Sequence, residues 1–224
     1  MSEIHIIAGP PGVGKSTLGH RFIPPDLDIL NEDEMRFKYK AQGYADYNEY
    51  SIHRVRDVVR NNLIKNKDFA LELNLGFVHQ YEYALSLKRF NHENKLNIVL
   101  FFTDDVDLCK DRAKARYESG RHLVEPHIIE EMYTNTLPLL KANFQAIDNL
   151  MLLNASRYDE LTPIAAYRRS ENELEILDDS PKWFINDLYP FFHNQIIGPD
   201  FDNYGRNSWD SDEPDNDRPR GRGR

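Results

Sequence analysis

The chain has 224 residues, 40% hydrophobic and 29% charged, with a mean hydropathy of -0.67 and a net charge of -9. This fits one soluble α/β domain with its own core and some polar tail. It excludes a membrane span, since no apolar run approaches ~20 residues, and argues against a nucleic-acid-binding face, which demands clustered Lys and Arg.

The single cysteine, Cys109, excludes an intrachain disulfide, and the chain reads as cytoplasmic. Cys109 lies among apolar neighbours on an expected helix, so it reads as a buried structural thiol. The first apolar run, Ile4 to Ala8, is too short for a signal peptide and lacks a basic leader. It reads instead as a short buried strand. It leads into Gly9-Pro10-Pro11-Gly12-Val13-Gly14-Lys15-Ser16, which fits G-x-x-x-x-G-K-[ST], the phosphate-binding P-loop. A helix over Lys15 to Phe22 follows. In such a loop the glycines let backbone N–H groups turn inward around a phosphate. The lysine reaches the β- and γ-phosphates, and the serine hydroxyl sits on Mg²⁺. Gly9, Pro10, Pro11, Gly12, Val13, Gly14, Lys15, Ser16 and Thr17 are therefore the expected nucleotide-binding residues, with Ser16 the metal residue. A merely tight strand-to-helix turn is the alternative, and the strand–loop–helix context weighs against it.

After the Pro24-Pro25 break, Leu27 to Leu30 reads as a second strand, then a helix from Glu32 to Tyr39. The junction, Asn31-Glu32-Asp33-Glu34, sits at a strand's carboxyl end, where ligands gather in open parallel sheets. Asp33 there suits a general base for an acceptor hydroxyl. Asn31 with Glu34 also matches a capping box, and both roles are compatible. A helix over Tyr47 to Lys65 carries Ile52, Val55, Val59 and Leu63 at helical spacing. Phe69 to Leu73 reads as the third strand. Its carboxylate, Glu72, is either at an exposed edge or placed at a site, binding substrate or holding the magnesium shell. Asn74, two residues on, shares its face. A helix over Gln80 to Phe90 leads to the fourth strand, Asn97 to Phe102. The following Thr103-Asp104-Asp105 suggests a Walker B aspartate, yet Thr103 or Asp104 as cap of the next helix is favoured.

That helix, Val106 to Tyr117, carries Arg112 and Arg116 on one face, ahead of the loop Ser119-Gly120-Arg121-His122. Arginines there stabilise a moving phosphoryl group, or they belong to a solvated, ion-paired face. The remaining histidines have no metal-ligand spacing, and His79 beyond the third strand is a weak substrate contact. A helix over His127 to Ile147, with Pro138 as a kink, precedes the fifth strand, Leu150 to Leu153. Pro163 to Arg169 and Glu173 to Leu177 alternate as a hairpin, and Pro181 to Phe192 reads as a helix. From Gly198 the Asp-, Asn- and Gly-rich sequence ends in an Arg-Gly run. It reads as disordered and solubilising, with RNA binding the alternative.

The expected fold class is α/β: a P-loop NTPase, nucleotide-kinase-like parallel sheet flanked by helices, with a small C-terminal β-hairpin plus helix appendage. Its segments are a kinase domain over 1–156, the hairpin and helix over 157–197, and the tail over 198–224.

Taken together, four motifs in one order resemble the zeta toxin family of P-loop kinases, over roughly residues 1–155. They are the Gly9–Ser16 loop, the Asn31–Glu34 segment, the Glu72-Leu73-Asn74-Leu75 strand end, and Arg112 with Arg116 before Gly120-Arg121-His122-Leu123-Val124. The resemblance implies a kinase using ATP and Mg²⁺ to phosphorylate a hydroxyl of a nucleotide sugar such as UDP-N-acetylglucosamine, with an antitoxin protein as partner. It implies Asp33 as general base and Lys15 and Ser16 on nucleotide and metal. Arg112 and Arg116 would clamp phosphate, and Glu72, Asn74, Arg121 and His122 would face the substrate. Two departures stand out. The family's Gly-Gly-His reads Gly120-Arg121-His122, and its Glu-Thr-Thr reads Glu72-Leu73-Asn74, which puts the acceptor's identity in question more than the chemistry. The rivals are another small-metabolite kinase, acting on a sugar acid or nucleoside, and a non-catalytic nucleotide-binding module.

Overall fold

The computed structural model describes residues 1–157 and 160–197. The expectations for 198–224 lie outside the described residues. Seven strands form one sheet in the order β2-β3-β1-β4-β5-β6-β7. They are β1 (Glu3–Ala8), β2 (Ile29–Leu30), β3 (Phe69–Glu72), β4 (Lys95–Phe102), β5 (Asn149–Asn154), β6 (Thr162–Arg168) and β7 (Glu173–Ile176). The first five are parallel. β6 then runs antiparallel to β5, and β7 antiparallel to β6. The hairpin after Ser156 therefore continues the main sheet.

Helices cover both faces, as a parallel sheet requires. They are α1 (Lys15–Leu18), extended by a 3-10 turn over Gly19–Phe22, α2 (Glu32–Ala41), α3 (Tyr47–Ile64), α4 (Val78–Arg89), α5 (Val106–Glu118) and α6 (Pro126–Asn143). Strand side chains alternate between the faces. Ile4, Ile6, Leu96, Ile98, Leu100, Phe102, Leu150 and Leu152 join one core with Val55, Val59, Tyr81, Leu140 and Phe144. Ile7, Val99, Phe101 and Leu153 join the other, with Val13, Leu18 and Cys109.

Most boundaries shift by a residue or two from the sequence expectations, and three elements differ in ways that bear on the fold. β2 is reduced to Ile29–Leu30, because the Leu27 N–H bonds back to the Pro24 carbonyl in a turn (3.1 Å). α6 accommodates Pro138 but ends at Asn143, passing into a 3-10 turn over Phe144–Ala146. The C-terminal helix widens into π turns over Phe184–Leu188 and His193–Ile197, on either side of α7 (Tyr189–Phe192). Pro190 lies in α7 and has no N–H to donate, which fits a helix with locally altered bonding. Trp183, Phe184, Leu188 and Phe192 are buried in the first core, so this helix is part of the body.

Candidate functional site

The loop between β1 and α1 is fixed by backbone packing that excludes side chains. Gly12 has φ +82, and a Cβ there would lie 2.0 Å from the Cys109 carbonyl oxygen. Gly9 has φ +134, and a Cβ there would lie 2.2 Å from the Phe101 carbonyl oxygen. The loop is thus pressed against the end of β4 and against α5, which only glycine permits. Its Lys15 is buried, and the ammonium donates to Gly9 O (2.8 Å), Pro10 O (3.0 Å) and Asn74 Oδ1 (2.8 Å). Burial pulls the Lys15 pKa below the ordinary lysine value, and the Glu72 charge opposes that shift. Asn74 also accepts the Gly9 N–H on its carbonyl (3.2 Å), so the end of β3 braces the loop twice. The turn that presents it is left-handed at Leu75 (φ 53), a fully buried non-glycine residue. Such a conformation persists only where its surroundings enforce it.

Glu72 lies at the end of β3, level with Ile7 on β1. One carboxylate oxygen accepts from Ser16 Oγ (3.0 Å), the other from Asn31 Nδ2 (2.7 Å). It is thus partly buried and doubly hydrogen-bonded, not a lone edge charge. Asn31 caps α2 as the sequence suggested, its Oδ1 accepting from Asp33 N (2.8 Å) and Glu34 N (3.3 Å). Glu34 faces Arg121 (3.6 Å), whose guanidinium also lies over the Phe37 ring (5.0 Å). Asp33 is half-exposed and paired with Arg36 one turn on.

Two cavities meet at this point. The first, of about 530 Å³, is lined by Asp33, Asn74, Arg121 and His122. The second, of about 560 Å³, is lined by the loop from Gly12 to Thr17, with Arg112, Arg157 and Leu161 beyond it. Gly12, Lys15, Glu72 and Arg116 line both. The arrangement offers two adjoining cavities, with a lysine, an arginine and a carboxylate lining both. The two expected arginines therefore separate. Arg116 sits at the junction. Arg112 lines only the second cavity and donates to Ala155 O (3.0 Å), tying α5 to the end of β5.

The Thr103-Asp104-Asp105 segment is structural, but the cap falls one residue later than expected. Asp105 caps α5, accepting from Asp107 N (2.9 Å) and Leu108 N (3.1 Å), while Thr103 Oγ1 accepts from Asp105 N (3.2 Å). Asp104 instead accepts from Lys182 N (3.1 Å) and Trp183 N (2.7 Å), capping the C-terminal helix. Neither aspartate lines either of these two cavities. His79 stacks on Phe77 (5.6 Å) and lines neither cavity.

Sequence reasoning missed Arg36, Phe37, Lys40 and Tyr47, all of which line the first cavity. The signal was present for two of them: Arg36 and Lys40 stand three and seven residues after Asp33, on one helical face. Among the described residues, no group of three or more His, Cys, Asp or Glu is placed to hold a metal alone. The hydroxyl of Ser16 and the carboxylate of Glu72, side by side, are the hard oxygen donors that suit Mg²⁺. No helix among the described residues is long and apolar enough to cross a membrane.

A family model described as AAA domain matches residues 4–138. A search of curated proteins finds no match. Among solved structures, the AvrRxo1-ORF1:AvrRxo1-ORF2 complex with sulphate ions superposes with a TM-score of 0.63 at 10% identity, over 84% of this chain and 63% of that chain. The PezAT chromosomal toxin-antitoxin system of the human pathogen Streptococcus pneumoniae gives 0.55 at 14% identity, over 89% and 88%. The Pnkp1/Rnl/Hen1 RNA repair complex gives 0.50 at 18% identity, over 63% and 46%. At these identities the likeness is one of fold: a P-loop, nucleotide-kinase-like sheet flanked by helices. This chain spans less than two thirds of the AvrRxo1 chain that it matches.

Proposed function

The chain belongs to the AAA domain family, and from that premise we propose that it is an ATP- and Mg²⁺-dependent phosphotransferase that phosphorylates a hydroxyl of a nucleotide sugar such as UDP-N-acetylglucosamine. The observation that carries this reading is the junction of the two cavities at Lys15, Glu72 and Arg116. A module that only bound nucleotide would need one cavity.

ATP fills the second cavity, its phosphates in the Gly9–Thr17 loop and its γ-phosphate toward the junction. Lys15 exchanges one of its carbonyl or amide partners for a phosphate oxygen. Ser16 and Glu72 would hold Mg²⁺, which would supply positive charge to offset that of the phosphates. The acceptor lies in the first cavity, its hydroxyl beside Asp33. The hydroxyl oxygen attacks the γ-phosphorus, and the bond to the β–γ bridging oxygen breaks. The proton passes to Asp33 and ADP leaves. Arg116 sits where negative charge accumulates on the moving phosphoryl group. Arg112, set to one side, serves the nucleotide rather than the transferred group.

The first cavity favours an anionic acceptor. Arg36, Lys40, Arg116 and Arg121 line it, beside Phe37 and Tyr47. Cations next to aromatic faces suit a phosphate-bearing molecule with a flat base, and suit a neutral nucleoside poorly. Asn74 supports the loop lysine in this structure, so its part in acceptor binding is secondary. An antitoxin partner fits the same reading, since the PezAT structure is a toxin-antitoxin system.

Asp33→Ala is expected to lower turnover by about 10²–10⁴-fold, the usual worth of a general base, and to leave ATP affinity nearly unchanged. Steady-state kinetics and nucleotide binding, run side by side, check this. Full turnover in the variant would remove Asp33 as the base.

A further inference from the structure

Asn31 joins the two halves of the site through a continuous run of hydrogen bonds. Ser16 Oγ donates to Glu72 Oε1 (3.0 Å), Asn31 Nδ2 donates to Glu72 Oε2 (2.7 Å), and Asn31 Oδ1 accepts from Asp33 N (2.8 Å). A helix cap needs only an acceptor, which Ser, Thr or Asp supplies equally well. The amide adds a donor, and that donor is aimed at the carboxylate beside the P-loop serine. β2 is only two residues long, and α2 has no buried residue of its own. α2 packs beside α3 and sets Met35 against the core, and the Asn31 amide adds to that packing a polar tether from the start of α2 to the end of β3.

We infer that Asn31 is a positioning residue that locks the Asp33-bearing start of α2 to the Ser16–Glu72 pair, holding the carboxylate toward the metal position and the base toward the acceptor. The inference rests on the kinase reading for Asp33 and Mg²⁺, and adds to it a residue that touches neither substrate. Misplacement of about 1 Å at such a junction costs on the order of 10²-fold in rate.

The test compares Asn31→Ser, Asn31→Ala and Glu72→Gln with wild type in two readouts. The first is the Mg²⁺ concentration that gives half-maximal binding of a fluorescent ATP analogue. The second is kcat against KM for ATP at saturating Mg²⁺. Asn31→Ser keeps the cap and is too short to reach Glu72. It is expected to raise the Mg²⁺ midpoint by ~10-fold, in the range for residues that orient a metal ligand. It is also expected to lower kcat with little change in KM. Asn31→Ser combined with Glu72→Gln is expected to be no worse than Glu72→Gln alone, because both break one chain. A purely capping role predicts the opposite pattern: Asn31→Ser equal to wild type and Asn31→Ala impaired. That pattern, or independent multiplication of the two single effects, would overturn the inference. Wild-type protein that binds Mg·ATP but transfers phosphate to nothing contradicts the kinase reading while the Mg²⁺ comparison still decides the tether. Wild-type protein that binds no nucleotide overturns both.

Discussion

At the scale of single residues, Lys15 and Cys109 show how burial sets chemistry. The three donors of Lys15 are all engaged, by two loop carbonyls and the Asn74 amide oxygen. A buried ammonium without such partners would be very costly, so these three acceptors are what keep the lysine folded into its own loop. Cys109 is fully buried directly behind the loop, with its backbone carbonyl against Gly12. Burial pushes its thiol up to about 11, and the nearby Lys15 and Arg112 charges only partly offset that. The thiol is therefore protonated at neutral pH and shielded. Iodoacetamide is expected to leave it unlabelled in the native protein over hours and to label it readily in denaturant. Fast native labelling, read by mass, would contradict the packing of α5 against the loop. The strand–loop–helix around the glycines and Lys15 was legible in the sequence because a P-loop is a local motif. The partners of Glu72 were not, since Ser16 and Asn31 reach it from 56 and 41 residues away.

At the scale of elements, the same split between local and distant information recurs. α3 was readable from Val55, Val59 and Leu63, which it buries together with Ser51, while Ile52, expected on the same face, is only half-buried. The Asn31 cap was readable because capping is decided within three residues. The other end of that pattern was not: Glu34 makes its ion pair with Arg121, on a different loop. The hairpin strands were visible as alternating runs, yet nothing local shows that β6 pairs along β5 from Asn149↔Arg168 onward. The Thr103-Asp104-Asp105 turn is the instructive case. A strand ending in aspartates carries the same letters whether it binds metal or caps helices. Here Asp105 caps the helix that follows, and Asp104 caps one that begins 78 residues later. Asp104→Ala is therefore expected to lower stability by ~1–2 kcal/mol, the cost of a lost cap. The urea midpoint should fall while Mg·ATP affinity holds. Loss of Mg·ATP affinity at unchanged stability would restore Asp104 to a metal role.

At the scale of the whole molecule, charge and topology work together. The chain is acidic overall, with 37 Asp and Glu against 28 Lys and Arg, yet the first cavity gathers Arg36, Lys40, Arg116 and Arg121. Net charge describes the chain as a whole and not the local set of cations that lines this cavity. The parallel strand order delivers the ends of β1, β2 and β3 to one crevice, which is where the P-loop, Asn31 and Glu72 meet. α5 then crosses behind the loop and brings Arg116 to the point where the two cavities share their lining. The central claim is transfer of phosphate across that junction. The measurement that tests it most directly is incubation of the purified chain with Mg²⁺ and γ-labelled ATP, with UDP-N-acetylglucosamine and then with other anionic hydroxyl acceptors, followed by mass analysis of the acceptor. The account predicts a gain of one phosphate on an acceptor hydroxyl, abolished in Lys15→Ala and Asp33→Ala. Label that reaches only water, or stays on ATP with every acceptor, would contradict it.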